Sequence, residues 1–178
     1  MIEIINFVSN NSQPLFRTTT EDNLLASFDD RGFWFSDKAQ SDYNNIKNDP
    51  HLYVAFGNEW YYVGESFQLG GRWRQGHAYH LGTLAHELLG TRRRDDQNHS
   101  HWNQAWMEMT SLQLSDNGHS IMLKSEVRIS FIPFALYGGG MDVSTSSRKV
   151  VKSINHDKQN ELIRLYVQQG YNLLNVQR

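Results

Sequence analysis

The sequence predicts an α/β fold in which a three-stranded antiparallel sheet carries helices around it. Three observations predict it. Two runs rich in aromatic and β-branched residues, Leu52 to Phe56 and Glu59 to Val63, flank Gly57-Asn58 and suit a hairpin. A third run, Glu126 to Ile132, alternates apolar and polar residues and supplies the third strand. Between Asp157 and Gln169, Ile163, Tyr166 and Val167 form the apolar face of a helix, and Gly170 is placed to end it.

The elements follow in order. The first fifty residues alternate polar loops with apolar runs at Ile2 to Val8, Leu24-Leu25 and Gly32-Phe33-Trp34-Phe35, with a helix expected near Ser41 to Lys47. They read as an N-terminal accessory segment, 1–50, packed on a main domain, 51–178. If Gly57-Asn58 is the two-residue turn, Phe56 pairs with Glu59, Ala55 with Trp60, Val54 with Tyr61 and Tyr53 with Tyr62. Tyr53 and Tyr62 are then direct neighbours with Cβ atoms roughly 5 Å apart, and Gly64 lies on the same face. Phe67 to Leu81 reads as a helix weakened by Gly70, Gly71 and Gly76, and Thr83 to Leu89 as a shorter one. His101 to Leu112 spaces Trp102, Ala105, Trp106 and Met109 helically, and Asp116-Asn117-Gly118 is a turn. Glycines 138–140 and serines 144, 146 and 147 mark a loop.

With 178 residues, 39% of them apolar, the chain suits one compact domain. It has no cysteine, which excludes disulfides, thiolate-bound zinc and a cysteine nucleophile. That composition suits a reducing compartment, so a cytoplasmic location is expected. No apolar run approaches the ~20 residues of a membrane span, and the first residues lack the basic and small-residue pattern of a secretory signal. The net charge is −2, yet cations cluster at Arg72 and Arg74, at Arg92-Arg93-Arg94, and at Arg148, Lys149 and Lys152. Such clusters are ordinarily solvated surface, and they are also what phosphate contact uses.

Several motifs, taken in order, resemble those of the GIY-YIG nucleases. Leu52-Tyr53 with Tyr62-Val63-Gly64 is similar to the paired motifs that name the family, on a shortened hairpin. Gly64 followed eight residues later by Arg72 resembles the family's glycine and helix-opening arginine. Asn103-Gln104-Ala105-Trp106 after His99-Ser100-His101 is similar to a family helix, and Glu126 to Ile132 takes the place of the third strand. Glu161, then Tyr171-Asn172 with Asn175, resembles the metal-binding glutamate helix and its asparagine. The likeness covers residues 51–178, with 81–125 as a DNA-recognition insertion. Two departures stand out. The first motif begins with His51, and Gly76 stands where many members carry a histidine, leaving His77, His80, His99 or none for that role.

The resemblance implies hydrolysis of DNA phosphodiesters by a small sandwich with one divalent ion, Mg²⁺ or Mn²⁺, on Glu161. Such chemistry needs an activated water, neutralisation of developing charge and help for the leaving oxygen. Arg72 is implied to contact the scissile phosphate through its forked donors. Tyr53 is implied as base or water-orienting group, Tyr62 as its neighbour, with His77 and Asn172 completing the site. An ordinary phenol titrates near 10, so a base role requires a nearby cation. Arg74, Arg92, Arg93 and Arg94 are the expected DNA contacts, to phosphate or guanine edges. The setting suggested is a restriction-type enzyme, with phage, mobile-element and toxin-like nucleases as neighbours. A homodimer is expected if both strands are cut.

Other classes compete. Tyrosines in strands are ordinarily packing residues and helical glutamates ordinarily face solvent, which leaves a non-catalytic nucleic-acid-binding module. His86-Glu87-Leu88-Leu89 begins a zinc-hydrolase motif, but position 90 is Gly where a second histidine is required. A looser zinc site from His77, His80 and His86 stays open. Leu15-Phe16-Arg17 with Gly32-Phe33-Trp34-Phe35 also suggests a fragment of an ADP-ribosyltransferase-like fold, with no partner motif downstream.

Overall fold

The structure, a computed structural model, describes residues 1–19, 24–29, 32–67, 85, 88–90 and 106–176. The chain forms α1 (Ile2–Asn11), β1 (Gln13–Pro14), β2 (Phe28–Asp29), β3 (Gly32–Phe33), α2 (Asp37–Ile46), β4 (His51–Gly57) and β5 (Trp60–Ser66). It continues with β6 (Gln113–Leu114), β7 (Ile121–Met122), β8 (Arg128–Pro133), α3 (Arg148–Gln168) and β9 (Asn172–Leu173). Residues 106–110 are helical, within the expected helix, whose first part lies outside the described residues.

The α/β class holds, but the main sheet has five strands in the order β1-β8-β4-β5-β9 where three were expected. The three central strands are the expected ones, all antiparallel. The two additions are short edge strands that no alternation could reveal. Gln13 and Pro14 pair with Ile129 and Arg128, and Asn172 and Leu173 run parallel to Trp60 and Tyr61, so the sheet is mixed.

Period-2 alternation splits β4 and β5 between two apolar layers. Leu52, Val54 and Val63 face Ile4, Ile5 and Val8 of α1 and Val151, Leu162 and Tyr166 of α3. Tyr53, Ala55 and Tyr62 face Ala39, Tyr43 and Ile46 of α2, together with Trp106, Met109 and Leu112. The first fifty residues thus supply a helix to each layer and a strand to the sheet. Ser36 caps α2 by accepting the Ala39 N–H at 3.1 Å.

The hairpin register differs from the expected one. The pairs are Gly57–Trp60, Phe56–Tyr61, Ala55–Tyr62, Val54–Val63 and Tyr53–Gly64. The turn is Asn58-Glu59, both at positive φ (49° and 66°) as a type I′ turn requires. Asn58 holds it in place by donating Nδ2–H to Glu108 O and Ser111 Oγ, at 2.9 and 3.1 Å. Gly57 is needed inside the strand instead. A Cβ there would lie 2.9 Å from Glu126 O and 3.0 Å from Met109 O, so only glycine lets these backbones approach.

Helix α3 begins nine residues before the expected Asp157 and ends as expected. Gly170 has φ of 85°, and Gly170 N–H and Tyr171 N–H donate to Val167 O and Tyr166 O, both at 3.0 Å. This is the Schellman pattern, completed by edge contact between the Tyr166 and Tyr171 rings at 5.0 Å.

The register generates a stability test. Tyr53 folds its ring across Gly64, where an added Cβ would lie 2.0 Å from Tyr53 Cζ. Gly64→Ala is expected to cost about 2–4 kcal/mol in urea unfolding, because the overpacked ring has to leave its place. In a Tyr53→Ala background the same substitution should cost much less. Equal costs in both backgrounds would contradict the register.

Candidate functional site

The two tyrosines sit diagonally across the hairpin with ring centroids 6.1 Å apart. Tyr53 is fully buried and Tyr62 is 3% exposed. The glycine opposite Tyr53 is what lets its ring lie flat and bring its hydroxyl over β5.

His51 occupies the same face, two residues before Tyr53 and opposite Ser66. Its ring is 6.4 Å from that of Tyr53 and 6.0 Å from that of Phe131. Nδ1 lies 2.8 Å from Asp49 O. A carbonyl only accepts, so Nδ1 carries the hydrogen and Nε2 the lone pair. Nε2 is buried and meets no donor among the described residues. Burial lowers the imidazole's proton affinity below the ordinary value of 6.5, outweighing the opposing bond to Asp49 O.

Of the remaining expected site residues, Glu161 and Asn172 are described, and both are placed elsewhere. Glu161 lies on α3, whose buried side chains belong to the opposite layer from the tyrosines. Its carboxylate is exposed and ion-paired with Lys158 at 2.7 Å. Asn172 donates to Glu59 O at 3.4 Å, at the turn end of the hairpin. Gly64 is five residues along, on the order of 15 Å away. Asn175 does more for β5: its Oδ1 accepts Val63 N–H at 2.8 Å and its Nδ2 donates to Val63 O at 2.7 Å. Arg72, Arg74, His77, Arg92, Arg93 and Arg94 lie outside the described residues, as do His80, His86 and His99.

One polar cluster was not anticipated. His156 Nδ1 meets Glu65 Oε1 at 3.0 Å. Asn155 Nδ2 donates to Glu65 Oε2 at 3.2 Å and to Ser66 O at 3.3 Å, and the Tyr137 hydroxyl donates to Asn155 Oδ1. Asn155 is fully buried. No sequence signal joins residues 65 and 156, because tertiary packing of α3 on β5 creates the pair.

A cleft of about 670 Å³ opens between α1, α2 and the β8 edge, lined among others by Asn10, Gln13, Asn45, Phe131 and Phe134. It lies one strand over from Tyr53 and includes neither tyrosine. Among the described residues no group of three or more histidine or acidic side chains is arranged to hold a metal. None of their helices is long and apolar enough to cross a membrane.

Buried His51 predicts a pH effect. Its folded-state pKa lies below its unfolded one, so the unfolded chain takes up the proton first as pH falls through about 6.5. Its contribution is fully present above that pH and is lost down to the folded value. Urea midpoints should therefore fall between pH 7.5 and pH 5.5 more steeply in the wild type than in His51→Phe. Parallel declines would show that His51 is not the titrating group.

Comparison with known proteins gives no relative: no family model, no curated protein and no solved structure matches the chain.

Proposed function

We propose that this chain is a metal-dependent endonuclease that hydrolyses DNA phosphodiesters, of GIY-YIG type. The observation that carries the reading is the pair of phenols on one face of the β4–β5 hairpin, with Gly64 as the floor beneath Tyr53. The element order supports it: hairpin, third antiparallel strand, then a C-terminal helix bearing Glu161.

In this reading the hydroxyls of Tyr53 and Tyr62 orient the attacking water and a phosphate oxygen, and Arg72 neutralises charge as the phosphorus gains its fifth oxygen. A bound Mg²⁺ or Mn²⁺ would supply charge neutralisation and a more acidic water. The described residues do not yet fit such an ion at the tyrosines. The proposed ligand, Glu161, is ion-paired to Lys158 on the α3 layer.

Burial of both rings and the placement of Glu161 across the sheet favour a second reading, a nucleic-acid-binding module without chemistry. Plasmid cleavage separates the two. On the first reading the wild type cuts with Mg²⁺ or Mn²⁺ and stops in EDTA, Tyr53→Phe lowers the rate roughly hundredfold or more, and Glu161→Ala abolishes cutting in folded protein. A wild type that binds DNA but cuts no plain, branched or modified substrate establishes the second. Cutting that survives Glu161→Ala removes that residue from the site.

A further inference from the structure

We infer that the flank of α3 bearing Lys149, Lys152 and His156 is a contact surface for the phosphodiester backbone of a nucleic acid, with His156 aimed by a buried hydrogen-bond relay. The choice of ligand rests on the proposed function; the geometry of the flank does not.

Residues spaced three and four apart share one side of a helix, so 149, 152 and 156 form a strip on α3. Lys149 and Lys152 are exposed, and neither has a carboxylate partner among the described residues. The His156 side chain is 57% exposed. The strip spans eight residues, seven steps of about 1.5 Å or about 10 Å of helix rise. One nucleic-acid strand of B form places about three phosphates in that rise, at 3.4 Å each.

Among the described residues the acidic group paired with the strip is Glu65, and both of its oxygens are engaged. Oε1 holds His156 Nδ1 and Oε2 accepts from Asn155. Asn155 is fixed in turn by the Tyr137 hydroxyl, which burial and the nearby Glu65 charge keep protonated and hence a constant donor. The chain of contacts therefore runs from the core to a solvent-facing ring. The carboxylate only accepts, so Nδ1 carries the hydrogen, and Nε2 donates to an anionic oxygen only in the doubly protonated form of the ring.

Stability does not account for this orientation. An exposed His–Glu pair contributes about 0–1 kcal/mol, and Asn155 reaches Ser66 O without help from His156. A ring held by Glu65, cationic once doubly protonated, beside two lysines without carboxylate partners among the described residues is instead suited to a charged oxygen ligand.

The test is fluorescence anisotropy with a labelled DNA duplex in EDTA, titrated over a range of salt. Wild type is compared with Lys149→Ala/Lys152→Ala, His156→Gln, Glu65→Gln and the Glu65→Gln/His156→Gln double variant. Loss of two phosphate contacts should weaken binding roughly tenfold or more at low salt and reduce the slope of log K against log salt by about 1.8. His156→Gln and Glu65→Gln should each weaken binding several-fold with unchanged melting temperatures, and the double variant should be no weaker than His156→Gln. Glu65 is a positioning residue, so non-additivity with His156 is the signature that simple loss of stability would not give.

Affinities within twofold of wild type for every variant would overturn the proposal, as would a wild type that binds no DNA. Failure of the nuclease reading looks different. A wild type that binds through this strip but never cuts leaves the contact surface standing. A wild type whose cutting depends on Tyr53, with binding untouched by the strip variants, leaves only the nuclease reading.

Discussion

The pairing of Tyr53 with Gly64 across β4 and β5 is the contact on which the rest of the arrangement depends. A one-residue slip in a strand exchanges its two faces. Here a slip of β4 would carry Tyr53 and Ala55 into the α1–α3 layer and send Leu52 and Val54 to the α2 layer, and a slip of β5 would exchange Tyr62 and Val63 in the same way. Two glycines hold the register from opposite ends of the hairpin. Gly57 admits the backbones of residues 109 and 126 at the turn end, and Gly64 admits the Tyr53 ring at the other. Asn58 adds a directional constraint by tying the turn to Glu108 and Ser111.

These constraints also explain what the sequence revealed and what it hid. The hairpin, the strand near 128–133 and the end of α3 were legible because alternation and a terminal glycine act locally. The register was not, because Gly57 beside Asn58 resembles turn chemistry while serving a close approach to distant backbone. Helix α1 shows apolar residues at 2, 4, 5, 7 and 8, a run too short to separate helix from strand. β1 and β9 are two residues each and exist only because β8 and β5 offer open edges. Of the expected site, the nearness of the tyrosines was legible from the hairpin alone. The separation of Glu161 from them was not, since the layer a helix joins is decided by packing.

The outer edge of β5 links the two layers. Leu173 and Asn172 pair with its first residues, Asn175 and Gln159 serve Val63, and Asn155 reaches Ser66. An open edge is a template for unwanted strand pairing, and here side-chain amides occupy it while anchoring α3. The same anchoring places Glu65 and His156 together, so a structural necessity and an exposed, oriented imidazole arise from one packing event. Gly64 and Glu65, adjacent in sequence, thereby serve opposite faces: one seats Tyr53 and the other holds His156.

The nuclease reading proposed above places the nucleic acid against the tyrosine face of the hairpin. It is tested most directly by an assigned aromatic ¹³C–¹H spectrum of the wild type, recorded without and with a saturating DNA duplex in EDTA. The account predicts that the ring signals of Tyr53 and Tyr62 move on binding, while those of Tyr166, buried in the opposite layer, stay in place. Unchanged Tyr53 and Tyr62 signals at saturation would contradict it and would make the hairpin tyrosines packing residues of the core.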